Sequence, residues 1–366
     1  MSKVTSENNN EATPKSSSAE TSTESTTGVA DEAHPQIGVG TSLRLEAQLA
    51  TMTSPIRHVM RHLPAAIERI APERRRALAD MQLADDVTFN FTENPCFVCR
   101  YIPASTGSPS EPAAIEFSAG AMTVMWAFSH AYVTLYERVL PLWINGDGQL
   151  SLTADPVVRD AMALLWWAIQ AWTNKEGSLD AWPTNLIKPL RDPVPRSPEN
   201  VADELSLCAA AYAMHHEFAH HYLQHTPRAN ADNIQEEQDA DLEAAHWILG
   251  AVPDENPSFF LKRSLGIATA ILALLAKAVH RRRFDGVSHP REFDRLVHVL
   301  DRFVDEDAHR LWQFVCLALK LHLDAEGITT PNTIHESARA CLEAYVDVLA
   351  EADRIWSAMD RGRSGS

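Results

Sequence analysis

The sequence predicts a mainly α protein with a small β-sheet, an α+β class, and three observations predict it. Eight long stretches carry apolar residues at three-to-four spacing, the period of an α-helix with one buried face. Strict apolar/polar alternation is confined to short segments between residues 86 and 117. A 45% hydrophobic share over 366 residues is ample for a sizeable core.

The elements follow in order. Residues 1–41 are nearly all Ser, Thr, Glu, Asn and Ala, too polar to offset their ordering entropy by burial, and read as a disordered tail. Two short helical patterns, about 54–70 and 72–82, lead into alternating segments at Asp86–Phe91 and Phe97–Ile102, on either side of a Thr92-Glu93-Asn94-Pro95 turn. Ala114–Phe117 is a third extended piece. Helices are expected at 118–140, 157–173, 200–225, 233–249, 258–282, 290–303, 305–323 and 334–358. Ser197-Pro198-Glu199 is an N-cap followed by proline at the first helical position, and Gly250 closes the helix that precedes it. The apolar run Ser264–Ala276 stops at Lys277, short of the ~20 residues a spanning helix needs, so it reads as a core helix with no integral membrane span. One domain is expected over 42–358, with a flexible terminus at 359–366.

Charge and cysteines narrow the function classes. The net charge, 32 − 49 = −17, is the wrong sign for a phosphate backbone and excludes nucleic acid as a partner. The tail, with two Lys and six acids, holds −4 of it, so the body is acidic too. Five cysteines make no disulfide framework, the start MSKVTSENNN has no apolar signal region, and a reducing cytoplasm is the expected location. Cys96-Phe97-Val98-Cys99 stands alone, with no second pair at metal-knuckle spacing, and reads as structural.

The chemistry concentrates in His216-Glu217-Phe218-Ala219-His220. Residues four apart on a helix differ by about 40° around its axis, so His216 and His220 present both imidazoles to one point, as a zinc-binding pair does. Glu217, about 100° further round, flanks the same point as a general base without ligating the metal. A catalytic zinc needs a third protein ligand. The next helix offers Glu237, with Asp241 one turn on to accept the free ring N–H of a ligand histidine and fix its tautomer. Glu236 is the weaker choice, because it would lose Asp241 as its partner. Asp232 or Asn233 can cap this helix, and the loop before it is long enough to fold it back against the first. His215, His221 and His225 read as outer or solvent-facing neighbours, while His246 lies about 180° round from Glu237 and points away. Further on, Pro290 at a helix start holds His289 just outside the helix, where it could donate to the oxyanion of a tetrahedral intermediate.

His216-Glu217-x-x-His220 with Glu237-x-x-x-Asp241 resembles the gluzincin metallopeptidases, which implies a zincin-like fold with a two-helix Zn²⁺ site inside a helical body. Ser288-His289-Pro290, with Arg295 six residues after the histidine, resembles a segment of the HtpX and CAAX-prenyl-protease group. That likeness implies that His289 stands near the zinc site and that Arg295 supports the ligands from behind. The 17-residue step from His220 to Glu237 is shorter than in that group, and the membrane spans of that group are missing. In both respects the chain is more similar to the phage-exclusion peptidases of the Lit type, which cleave a translation elongation factor. The resemblance implies a zinc-dependent endopeptidase acting on an intracellular protein substrate, in phage exclusion or stress response. The alternative is a non-catalytic helical interaction protein, in which His289 or His225 would close a structural zinc site as fourth ligand.

Overall fold

The computed structural model describes residues 39–364 except 86, 105–112, 146–153, 175–178, 180, 226–232, 251, 253–255, 287–288, 306–308 and 332–334. The tail expected over 1–41 lies, up to residue 38, outside the described residues. In order, the elements are α1 (Val39–Thr51), α2 (Arg57–Met60), α3 (Leu63–Arg69), a 3₁₀ turn (Pro72–Arg74), α4 (Arg75–Asp85), β1 (Val87–Thr92), β2 (Cys99–Ile102) and β3 (Ala113–Ser118). Then come α5 (Ala119–Asn145), α6 (Pro156–Thr173), α7 (Pro198–Tyr222), α8 (Asn233–Leu249), α9 (Pro257–Arg281), α10 (Glu292–Asp301), α11 (Arg310–Ala325) and α12 (Ala338–Ser364). The molecule is mainly α with a small sheet, as its periodicity predicts.

Three elements differ from expectation. Helix α1 occupies a stretch for which no element is expected; Leu45 and Leu49, one turn apart, bury one side of it. The pattern at 54–70 breaks into α2 and α3, with Pro64 in the first turn of the second. Helix α12 continues to Ser364, into the terminus expected to be flexible.

The sheet has strand order β1-β3-β2, with β1 parallel and β2 antiparallel to β3. Alternate residues Ala113, Ile115 and Phe117 of the central strand are buried, and Phe89 of β1 meets Phe218 of α7 with ring centroids 6.4 Å apart. Strand β2 is an edge, so the N–H groups on its outer side are available to whatever packs there.

Helix α7 is the axis of the body, packed by α5, α8 and α9 and touched by α3, β2 and β3. It is buried nearly all round: Ala202, Leu205, Cys208, Ala209, Ala210, Ala211, Met214 and Phe218 are all enclosed. A helix apolar on every side belongs in a core. Ser197 caps its start, its hydroxyl accepting from the Asn200 N–H at 3.3 Å, with Pro198 at the first helical position.

Helix α9 is long and apolar enough to cross a membrane by length and composition, yet 67% of its most apolar stretch is buried within the fold. It lies against α7, α10 and α11 as a core helix. The approach to α7 depends on Gly266, since a Cβ there would stand 2.4 Å from the Cβ of Cys208. Gly266→Ala is expected to destabilise the fold by about 1–3 kcal/mol through overpacking, read as a lower midpoint in urea unfolding; an unchanged midpoint would show that the two helices separate freely.

Gly250 follows α8 as expected, but for a different reason. Its φ is not positive; a Cβ would collide with the ring of His246 at 2.6 Å. His246 itself points toward Arg74, 3.2 Å away, on the side of α8 remote from Glu237.

Three histidines are sealed in the core away from the HExxH face or behind it. Burial lowers His130 and His215 to about 4 and His322 to about 3, all from 6.5. His322 is held by the Tyr132 hydroxyl at 2.7 Å, and His215 stacks on Trp247. Because the folded values are depressed, the unfolded chain takes up protons first. Their stability contribution is intact above pH 6.5 and is lost as the pH falls toward 4, by up to about 3 kcal/mol each. Asp203, pushed up to about 6 by burial, works the other way and offsets one of them. Urea midpoints measured at pH 7, 5.5 and 4.5 should therefore fall steeply; a flat profile would contradict this burial.

Candidate metal centre

The last turns of α7 and the second turn of α8 converge. The Nε2 atoms of His216 and His220 are 3.2 Å apart, and the two rings stand nearly perpendicular at 86°. Glu237 reaches across from α8, its Oε2 3.2 Å from His216 Nε2 and its Oε1 3.4 Å from His220 Nε2. One ligand atom from each of the three lies within 4.8 Å of the others. Glu237 Oε2 is buried and has no hydrogen-bond partner among the described residues.

The surroundings fix which atoms face the centre. His216 Nδ1 lies 2.9 Å from Asp241 Oδ1, which turns the other ring nitrogen inward. Asp241 accepts two hydrogen bonds from Arg295, Nε and a terminal nitrogen each at 2.7 Å, and a third from the Tyr212 hydroxyl at 2.8 Å. Burial opposes the charge on Asp241, but Arg295 and His216 outweigh it and hold the carboxyl well below the usual range. His220 is turned by His225, with their Nδ1 atoms 3.0 Å apart.

Two imidazoles and a carboxylate are the donor set that zinc takes in catalytic sites. The electrostatics ask for a cation at this point. Burial opposes a proton on His216, yet Asp241 and Glu237 outweigh it and raise the imidazole to about 10. On Glu237, burial is likewise outweighed by His216 and His220, which hold it far below an ordinary glutamate. The residues present fit the ion.

Glu217 stands beside this trio, and its Oε2 accepts the Tyr101 N–H of the edge strand at 2.8 Å. Burial raises its carboxyl above the ordinary value against the pull of His216, His220 and that amide. His289 is half exposed, with Nε2 3.6 Å from Glu237 Oε1 and Nδ1 3.2 Å from Asp285 Oδ2. Pro290 stands before the N-cap Arg291 rather than at the first helical position, because α10 begins only at Glu292. Ser288 of the same segment, and Asp232 with the loop before α8, lie outside the described residues. His216, Glu217, His220, Glu237 and His289 open onto one cleft of about 520 Å³, whose walls include Phe97, Met125, Leu274 and Lys277.

The sequence model of the Peptidase U49 family matches residues 115–315, more than half of the chain. The chain belongs to the Peptidase U49 family. The matched stretch runs from within β3 through all of α7 and α8 and includes Arg295. A "Cell death peptidase" of Escherichia coli (strain K12) is 29% identical over 245 residues, 67% of this chain and 80% of that protein. No solved structure matches.

In this U49 peptidase the structure brings together His216, Glu217, His220, Glu237, Asp241, His289 and Arg295. It adds three. Tyr212 was visible in principle, since it lies one turn before His216 on the same face. Tyr101 carried no local signal, because it meets Glu217 across 116 positions. His225 has a defined partner in His220, and His221 another in the Tyr101 hydroxyl at 2.8 Å, whereas His215 belongs to the core. Cys99 lines the cleft, its thiol pushed up first by burial and then by Glu217.

Proposed function

We propose that this U49 peptidase is a zinc-dependent endopeptidase of gluzincin type, with His216, His220 and Glu237 holding Zn²⁺. The observation that carries this is the convergence of three ligand atoms within 4.8 Å beside an open cleft. When bound, zinc acts as a Lewis acid on a carbonyl oxygen and brings the pKa of water toward ~7.

The chain's own residues account for the proton transfers. Glu217 takes a proton from the attacking water and returns it to the leaving nitrogen, and its burial-raised carboxyl suits a group that must both accept and give. The Tyr101 N–H keeps one carboxylate oxygen in place, leaving the other to face the substrate. His289 donates to the oxyanion from the rim of the site. Asp241, clamped by Arg295 and Tyr212, keeps His216 in the tautomer that presents Nε2.

The name of the E. coli relative and the Lit-type resemblance support an intracellular protein substrate, in phage exclusion or a stress response. The structural-zinc alternative is less well supported, since His225 sits against the outer nitrogen of His220 rather than at the centre. The test is elemental analysis of the purified chain together with proteomic comparison of cells expressing it. One zinc per chain and newly cleaved host proteins are expected; no stoichiometric metal, or no new cleavage, would refute the proposal.

A further inference from the structure

A second cavity of about 460 Å³ opens off the metal cleft, and the two share Leu274, Lys277, Asp285 and Glu292 as a common wall. Helix α9 forms that wall. Ala270, Leu274 and Lys277 line the metal cleft at helical spacing, and the same stripe continues through Arg281 into the second cavity, where Arg283 joins it. The wall therefore changes along its length from apolar near the metal to cationic beyond it.

The cations at the far end are poorly neutralised. Lys277 is half-buried and has no carboxylate within ion-pair distance among the described residues; its ammonium lies 4.5 Å from the centre of the Trp172 ring. Burial lowers its pKa, the mark of an ammonium short of compensation. Among the described residues Arg281 donates to the Thr173 carbonyl, at 3.1 Å, and neither it nor Arg283 makes an ion pair. Of the two acids in the lining, Asp285 is 3.2 Å from His289 Nδ1. Glu292 has a buried Oε2 without a hydrogen-bond partner, and burial pushes its carboxyl up to about 7. A protonated Glu292 would donate to a carboxylate rather than repel it.

We propose that this second cavity is a substrate subsite that takes a carboxylate, held by Lys277 and Arg281, so that cleavage is directed to bonds a few residues from an acidic group. This rests on the peptidase function proposed above and names the substrate class for the same cleft. The acidic group is the side chain of an Asp or Glu, or the carboxylate of a chain end.

The test is digestion of a proteome-derived peptide library by the zinc-loaded full-length chain, with cut sites read by mass spectrometry. Asp and Glu are expected at one fixed offset from the cut, enriched roughly tenfold, the size of one charge-assisted hydrogen bond. A fixed distance from the C-terminus, in place of an internal acid, would identify the chain end as the source. Lys277→Glu is expected to replace the acidic preference by a basic one, Lys277→Gln to erase it and Lys277→Arg to keep it, with circular dichroism confirming that each variant folds. Wild-type cleavage with no charge preference, or with a basic one, would overturn the subsite and leave the peptidase chemistry standing. No cleavage of any peptide would overturn both.

Discussion

Glu217→Gln is expected to lower peptide cleavage by at least about 10²–10⁴-fold while leaving zinc content unchanged. The substitution keeps the shape of the side chain and the oxygen that accepts the Tyr101 N–H, so the edge strand stays docked on α7. What it removes is the capacity to take a proton. Because Glu217 is not one of the three converging ligand groups, the proposed metal binding rests on His216, His220 and Glu237 and not on it. The measurement is kcat on any peptide the wild type cuts, with elemental zinc on the same sample. Full activity in the variant would remove Glu217 as the base, whereas loss of activity together with loss of zinc would make it a structural support.

The second large effect is expected at Arg295. Asp241 is 1% exposed, and Arg295 supplies two of its hydrogen bonds from a position that is itself buried. Arg295→Met would leave a buried carboxylate with Tyr212 and His216 alone, and a buried pair broken on one side typically costs about 3–5 kcal/mol. Zinc affinity should fall about 10–100-fold as well, because Asp241 would no longer hold His216 rigidly. Asp241→Asn combined with Arg295→Met removes both charges and should recover most of the stability without recovering the affinity. Urea unfolding of the metal-free chain and zinc titration against a competing chelator separate the two quantities. An Arg295→Met variant with wild-type stability would mean that Asp241 does not need its partner.

The first effect arises from a residue whose role is legible in the sequence, for a simple reason. His216, Glu217 and His220 lie within two turns of one helix, and a helix of known pitch places them relative to one another before anything else folds. Glu237 and Asp241 are legible in the same way on α8. Arg295 and His289 were found only by likeness to known peptidase segments, since nothing local to α10 indicates that it packs against α8.

The misses are equally physical. Helix α1 was missed because its few apolar residues adjoin a polar tail and gain their order only by packing on the body. Gly250 lay where a helix stop belongs, but the side chain that requires glycine there is His246, folded back from the previous turn. His215 sits beside two site histidines in sequence and points to Trp247 in space.

The sequence by itself determined the mainly helical class, the small sheet and the pair of helices that carry the candidate metal ligands, because each depends on composition or on spacings within one element. Only the tertiary structure decided that Glu237 meets both histidines, that Asp241 serves His216 while His225 serves His220, and that the edge strand holds Glu217. It alone also revealed the cationic cavity beside the cleft. These contacts join residues far apart in the chain, and their geometry is set by how α7 packs against α8, α9 and the sheet, which no local spacing encodes.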